Sequence, residues 1–196
     1  MAKRKSTAKG PIYQLKITLR DVKPAIWRRI EVAGHTRLDH LNMMIQSAMG
    51  WTNSHMHSFT IDGEDYGRHH ADFDSDYLDE RRHYLDDLVR LEKARFLYIY
   101  DFGDNWEHDV VVEKIVPPEP GMKYPRCAAG ARSCPPEDVG SAWGYAEFLK
   151  AIRDPKHEEH ENMIEWIGRE FDPEAFDLEE TDAAVKDFKS MEAWMM

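Results

Sequence analysis

The stretch FLYIYDFGDNWEHDVVV, residues 96–112, decides the fold of this chain. Two apolar runs, residues 96–99 and 110–112, flank a polar turn that contains glycine. This pattern predicts two antiparallel strands joined by a hairpin, with the turn side chains gathered at one edge of a sheet. Backbone geometry alone explains Asn, Asp and Gly in a turn, but it does not require the Trp, Glu and His of residues 106–108. The turn is therefore predicted to carry a functional site.

The neighbouring segments predict further strands and several helices. Apolar and polar side chains alternate over residues 12–19, as expected of a strand with one buried face. Similar patterns predict strands at residues 12–19, 26–32, 57–62, 96–101 and 108–116. Helical spacing predicts helices at about residues 37–49, 142–153, 157–170 and 181–194. The acidic residues 64–87 predict a long loop or a short irregular helix.

This order of elements predicts an α+β fold with a mixed or antiparallel sheet of about five strands. One helix is expected to lie across the sheet, and the last helices are expected to form a C-terminal helical layer. We predict one domain over residues 11–196, with its sheet part in residues 11–120 and its helical part in residues 137–196. The basic residues 1–10 are expected to form a disordered tail.

The composition limits where the protein works. The 196 residues contain no run of about 18 apolar residues, so no membrane span is expected. The basic N-terminus is not followed by an apolar segment and does not predict a secretory signal. The chain has two cysteines, Cys127 and Cys134, which is too few for a disulfide framework. We predict two reduced thiols and a cytoplasmic location.

The charge distribution argues against nonspecific binding of nucleic acid. The net charge is −11, and four basic residues among the first ten leave −15 on residues 11–196. Binding to the phosphate backbone depends on clustered Lys and Arg. Only the tail, or a patch of Arg28, Arg29, Arg81 and Arg82, offers such a cluster. Nucleic acid is therefore not expected as a partner of the acidic body.

Histidines and carboxylates near the predicted turn suggest a metal site. His55 and His57 are two residues apart and would point to the same side of a strand. Imidazole and carboxylate groups together suit divalent transition metals. The predicted metal ligands are His55, His57, Asp104 and His108. The alternative is a polar hydrogen-bond network at the sheet edge, packed against Trp51 and Trp106.

A wider set of polar and aromatic residues is expected to line a ligand cleft around the turn. Glu137 and Asp138 follow two prolines and precede a helix, where carboxylates either cap free backbone N–H groups or act as ligands. Arg28 and Arg29 are suited to anchoring carboxylates. The predicted cleft comprises Arg28, Arg29, Trp51, His55, His57, Asp101, Asp104, Trp106, Glu107, His108, Glu137 and Asp138.

Seven segments of the chain together form a recognisable set of motifs, namely residues 13–19, 24–29, 48–51, 55–59, 100–108, 127–140 and 144–149. This set resembles the plasmid pRiA4b ORF-3-like family, also described as passenger proteins of insertion elements. The resemblance covers about residues 12–175 and implies association with mobile genetic elements, but no established activity. Where the family often has Leu-His in the first helix, this chain has Leu41-Asn42.

These observations favour a cytoplasmic binding or accessory protein with a polar His/Asp/Glu cleft, acting on an unidentified small molecule or protein. One alternative is a metal-dependent hydrolase of phosphodiesters, in which a divalent ion activates water. Another is a DNA-binding recombination accessory factor, although the chain lacks a basic body. A divalent metal ion is the cofactor that the residue types suggest.

Overall fold

A computed structural model describes residues 10–68 and 77–194 of the chain. The strands are β1 (Ile12–Leu19), β2 (Trp27–Ala33), β3 (His57–Ile61), β4 (Glu64–Gly67), β5 (Leu78–Asp79), β6 (Arg95–Tyr100), β7 (Trp106–Val116) and β8 (Arg126–Ala131). The helices are α1 (Leu38–Met49), α2 (Leu85–Leu88), α3 (Ser141–Arg153), α4 (His160–Ile167) and α5 (Leu178–Lys186). Short 3₁₀ segments cover Glu80–Arg82 and Phe188–Trp194.

The strands form one mixed sheet in the order β5-β4-β3-β6-β7-β1-β2-β8. The pairing of β4 with β5 is parallel and the other pairings are antiparallel. The predicted α+β class is confirmed. The prediction of about five strands was too low, because the described part of the chain contributes eight.

The three unpredicted strands have weak strand signals for different reasons. β4 and β5 are only four and two residues long, and they lie in the acidic segment that predicted a loop. β8 has the sequence RCAAGA, which lacks the β-branched and aromatic residues typical of strands. Its place in the sheet comes from pairing with β2 and not from its own propensity.

The core lies between one face of the sheet and α1. Alternation along β1 buries Leu15 and Ile17 completely, and the buried side of α1, including Leu41 and Ile45, joins the same cluster. α1 ends at Gly50, whose φ of 84° favours a residue without a side chain. The predicted helix over residues 37–49 is thus confirmed.

Half-exposed ion pairs lie on the central strands and at the end of β1, where Arg20 follows Leu19. Arg20 binds Glu107 and Asp109, each at 2.6 Å. Arg29 binds Glu113 at 2.5 Å, with the two side chains 29% and 23% exposed. Because water screens such pairs, each is worth at most about 1 kcal/mol.

The C-terminal helices form a layer beside α1 and β8. α5 packs against both elements, and the Asp182 carboxylate accepts a hydrogen bond from the Cys127 N–H at 3.0 Å. The predicted helix over residues 142–153 corresponds to α3. α4 is shorter than the predicted helix and ends at Gly168, which has a φ of 61°.

The tail, the cysteines and the helix lengths bear on three further expectations. The predicted tail lies outside the described residues except for Gly10. Cys127 and Cys134 are both free cysteines. No helix in the described ranges is long and apolar enough to cross a membrane.

Candidate functional site

Three chain segments meet at one end of the sheet. The first is residues 52–55, which lead into β3. The second is the turn of residues 101–105, which joins β6 to β7, as the sequence predicted. The third is residues 135–138, which precede α3. Because strands β3, β6 and β7 are neighbours, their ends bring the first two segments together, and hydrogen bonds from Thr52 and Tyr100 to Glu137 add the third.

His55, Asp101 and Asp138 form the central cluster of this site. The His55 Nε2 atom lies 3.1 Å from Asp138 Oδ1 and 3.8 Å from Asp101 Oδ2. One possible ligand atom from each of the three residues lies within 4.8 Å of those of the other two. Among the described residues, this is the cluster of His, Cys, Asp or Glu side chains whose geometry could hold a metal ion. The His55 side chain is 32% exposed, Asp101 is 10% exposed and Asp138 is 68% exposed. The cluster is thus anchored at Asp101 and open at Asp138.

Asp101 is fixed by its own turn. Its φ of 54° is in the left-handed region, and its carbonyl accepts a hydrogen bond from the Asn105 N–H at 2.6 Å. Its Oδ1 atom accepts from the Gly103 N–H at 2.9 Å, while Oδ2 is the oxygen nearer to His55. One carboxylate oxygen therefore stabilises the turn and leaves the other directed toward the cluster.

Glu137 connects two of the three segments. It accepts hydrogen bonds from the Thr52 N–H at 2.7 Å and the Thr52 hydroxyl at 2.9 Å. The Tyr100 hydroxyl also donates to Glu137, at 3.1 Å, and accepts from the Ser54 N–H at the same distance. These bonds hold the loop of His55 beside the segment of Asp138. Glu137 therefore acts as a positioning residue within the cleft.

Burial and the neighbouring charge of Glu137 raise the pKa of Tyr100 well above its ordinary value. A raised pKa keeps this phenol protonated near neutral pH, so that it remains a donor to Glu137. Its ring also stacks against Trp51, with centroids 5.1 Å apart. The Trp51 indole N–H in turn donates to the Pro135 carbonyl at 2.9 Å.

Asp104 connects the turn to the start of α3. Its Oδ2 atom accepts a hydrogen bond from the Gly140 N–H at 3.0 Å. Asp138 lies between this contact and the Glu137 contacts, and its φ of 58° is left-handed. Both flanks of Asp138 are therefore fixed, although its side chain is exposed.

The structure does not bring the four predicted metal ligands together. His57 Nε2 lies 2.7 Å from Glu80 Oε2 in a buried pair. His108 is fully buried, its Nδ1 lies 3.3 Å from the Tyr98 carbonyl, and its ring contacts Trp51. The predicted His55–His57 pair fails because His55 precedes β3, so the two-residue alternation of a strand does not apply to it. Of the four, His55 alone belongs to the cluster.

Several other predicted cleft residues belong to ion pairs, to the core or to backbone contacts and not to the central cluster. Glu107 and Arg29 belong to the half-exposed ion pairs of the sheet. Trp106 is buried in the core. Arg28 is buried and donates to backbone carbonyls. Arg28 therefore binds backbone carbonyls in place of carboxylates, whereas Arg29 does anchor a carboxylate, that of Glu113 in β7 and not one of the turn.

A cavity of about 870 Å³ adjoins the site. It lies between the end of α1, residues 133–137 and the segment from α4 to α5, and Arg28, Trp51 and Glu137 are among its lining residues. Sequence reasoning included Tyr100 only as the first residue of the candidate turn, residues 100–108, and did not identify Thr52. Thr52 carries no signal in the sequence.

The buried imidazole of His108 predicts a specific loss of stability in acid. Burial lowers the pKa of His108 from 6.5 to about 4. Between these values the unfolded chain binds a proton that the folded protein excludes, so stability falls as the pH decreases through this window. The expected loss at pH 4.5 is about 2.5 kcal/mol relative to pH 7. Urea unfolding of wild type and His108→Gln at both pH values measures this loss. An identical loss of stability between pH 7 and pH 4.5 in the variant would contradict its attribution to His108.

The fold and the cluster define an α+β protein with a mixed sheet that carries a His-Asp-Asp group at one end. The chain belongs to the plasmid pRiA4b ORF-3-like protein family, whose model matches residues 11–180. This match confirms the family that the sequence motifs indicated.

Two relatives cover most of the chain. It is 39% identical over 178 residues to uncharacterized protein y4hQ of Sinorhizobium fredii (strain NBRC 101917 / NGR234), covering 90% of this chain and 91% of that protein. It also resembles the crystal structure of the protein of unknown function MM3350 from Methanosarcina mazei Go1, with a TM-score of 0.81 and 39% identity. That match covers 87% of this chain and 97% of the other. These relatives support the fold and the family, and neither name assigns an activity.

Proposed function

We propose that this chain is a cytoplasmic binding protein that holds a divalent cation through His55, Asp101 and Asp138. The observation that carries this proposal is the convergence of one imidazole and two carboxylates, with ligand atoms within 4.8 Å of one another. One nitrogen and two oxygen ligands suit ions such as Mn²⁺, Zn²⁺ and Fe²⁺. The high exposure of Asp138 leaves the ion accessible to a ligand from solution.

The cation would offset a local excess of negative charge. Asp101 and Asp138 both face His55, and Glu137 and Asp104 lie in the same three segments. A divalent ion with three protein ligands keeps open coordination positions. Those positions would bind an oxygen or nitrogen atom of a small molecule or of a partner protein, which gives the predicted binding role a chemical basis.

Addition of Mn²⁺ or Zn²⁺ to EDTA-treated protein is expected to raise the melting temperature. An ion at a concentration 100 times its Kd stabilises the folded state by about 2.7 kcal/mol, which corresponds to roughly 5–10 °C for a chain of this size. His55→Ala should abolish the shift. Differential scanning fluorimetry at several ion concentrations measures it.

His35→Ala provides the matched control. His35 Nδ1 lies 3.4 Å from Asp86 Oδ1, so it forms a similar His–Asp pair, but it belongs to no three-residue cluster in the described part of the chain. This variant should keep the metal-dependent shift. An equal shift in wild type and His55→Ala would sink the proposed site.

The accessory role with mobile genetic elements rests on the family resemblance. We retain it as part of the proposal, with a small molecule or a protein as the partner. The charge of −15 on residues 11–196 supports this choice over nucleic acid, because an acidic body repels phosphate. Co-purification of the tagged protein from cells with and without the neighbouring element genes would test the association.

A metal-dependent hydrolase of phosphodiesters is the second candidate. The observation that favours it is the exposed side of the cluster at Asp138, where a bound ion could hold and activate water. Hydrolysis of bis(p-nitrophenyl) phosphate in the presence of Mn²⁺ is the relevant assay. Activity that is lost in Asp101→Asn would favour the hydrolase, whereas a thermal shift without turnover would favour the binding protein.

A further inference from the structure

A second cavity, of about 450 Å³, lies between α3 and α4 and reaches Asp138. This volume is in the range of small-molecule pockets. Apolar residues form the larger part of its surface, and two of them, Phe148 and Ala151, are 2% exposed. The apolar lining residues are Val139, Phe148, Ala151, Met163 and Trp166.

Trp166 supplies an aromatic wall that is open to a ligand. Its ring packs edge-on against Phe148, with centroids 5.8 Å apart. The residue nevertheless remains 45% exposed. It belongs to α4, which has no buried residue. Trp166 lines the cavity, so a molecule that enters it can contact this exposed indole.

The rim of this cavity is acidic. Asp138, Glu147, Glu158 and Glu159 line it, together with His157, and no Lys or Arg of the described ranges does so. Glu147 binds Lys150 at 2.6 Å, and Glu159 accepts a hydrogen bond from an Asn162 amide. Glu158 and Asp138 are exposed carboxylates. The rim therefore favours positive charge and disfavours anions.

We propose that this cavity binds an organic cation, namely an ammonium group attached to an aromatic or aliphatic body. The apolar surface would hold the body, and Trp166 with the acidic rim would hold the ammonium group. Cations are attracted to the face of an indole, and carboxylates strengthen that preference. The inference extends the proposed binding function by naming a ligand class, and it shares Asp138 with the metal cluster without requiring a metal.

The direct test is a titration of the protein with phenethylammonium in EDTA-containing buffer. Calorimetry or the NMR chemical shifts of the protein report the binding. We expect saturable one-site binding that weakens with added salt. Hydrocinnamate, an anion of similar size, should not bind. Equal binding of the anion and the amine would overturn the proposal.

Two tryptophan variants test the contribution of Trp166, which lines this cavity and also the cavity of about 870 Å³, and variants of the rim separate the two. Trp166→Ala should weaken phenethylammonium binding about three- to tenfold, as expected for the loss of a cation–π partner. Trp143→Ala is the matched control, since Trp143 is 75% exposed but does not line this cavity. An unchanged affinity in Trp166→Ala would contradict the proposed location.

The rim can be tested without altering the apolar surface. The double variant Glu158→Gln/Glu159→Gln should weaken amine binding and reduce its salt dependence. Glu161→Gln/Glu165→Gln makes the same change of charge at exposed positions of α4 outside the cavity lining, so it should bind the amine more tightly than the rim variant does. Equal affinities in the two double variants would rule out a specific rim.

His55→Ala separates this proposal from the metal site. It should abolish the metal-dependent thermal shift while retaining phenethylammonium binding, because His55 does not line this cavity and its removal only releases Asp138 Oδ1 from a 3.1 Å pair. Loss of amine binding in His55→Ala would contradict an independent cavity. Failure of the metal response alone would leave the amine result standing.

Discussion

Arg28→Met is expected to lower the free energy of unfolding by about 3–5 kcal/mol, because it leaves several buried carbonyl groups without hydrogen-bond donors. Arg28 is only 4% exposed. Its Nε atom donates to the Ala48 carbonyl at 2.8 Å. Its Nη1 and Nη2 atoms donate to the carbonyls of Ala131 at 3.0 Å and Arg132 at 2.8 Å.

These contacts connect three parts of the fold. Ala48 belongs to α1, Ala131 ends β8, and Arg132 begins the segment that leads to the site. The guanidinium also lies 4.6 Å from the ring centroid of Phe176, which precedes α5. A methionine would fill much of the space but would donate no hydrogen bond, so all these elements would lose a shared anchor.

Arg29→Met serves as the control for Arg28→Met. Arg29 is the next residue on β2 and points to the other face of the sheet, where it pairs with half-exposed Glu113. Its replacement should cost less than about 1 kcal/mol. Urea unfolding at pH 7 measures both variants. Similar losses in the two would show that the buried carbonyl network contributes little.

Glu80→Leu is the second change with a large expected effect. Glu80 and His57 pair at 2.7 Å, with side chains only 4% and 8% exposed. Removing one partner of a buried pair leaves the other polar group without its hydrogen bond, which costs about 1–3 kcal/mol. The pair also joins β3 to the 3₁₀ segment Glu80–Arg82, so its loss should loosen that segment.

A double-mutant cycle isolates the His57–Glu80 interaction. His57→Phe and Glu80→Leu should each destabilise the protein, and the double variant should be less destabilised than the sum of both. The pairwise coupling is read from urea unfolding of the four proteins. Strictly additive losses would mean that the two side chains contribute independently. Glu113→Gln, which breaks a half-exposed pair, is the control for a loss of charge.

The sheet was predictable where side-chain patterns repeat locally. β1 alternates cleanly from Ile12 to Leu19, and the turn after Tyr100 contains the residues that a hairpin needs. β8 could not be predicted in this way, because its Ala and Gly residues have little strand preference and its position depends on β2. Pairing between distant segments leaves no local pattern to detect.

The sequence predicted which types of residue form the site, but it did not predict which of these residues lie next to one another. His55, Asp101 and Asp138 were all expected in the cleft, yet the predicted metal ligands were a different set. Two local facts decide the outcome, namely that His55 precedes β3 and that Asp101 and Asp138 adopt left-handed conformations. A third is non-local, since Glu137 holds Thr52 across 85 positions of sequence. Periodicity contains none of this information.

The two edges of the sheet have a consequence for behaviour at high concentration. A long bare strand edge can pair with the same edge of another molecule and start aggregation. Here one edge strand, β5, is only two residues long, and the other, β8, has the Cys127 N–H occupied by Asp182. Asp182, carried by α5, thus occupies a donor on the edge strand that another molecule would need for pairing. The protein should therefore resist growth into strand-paired polymers.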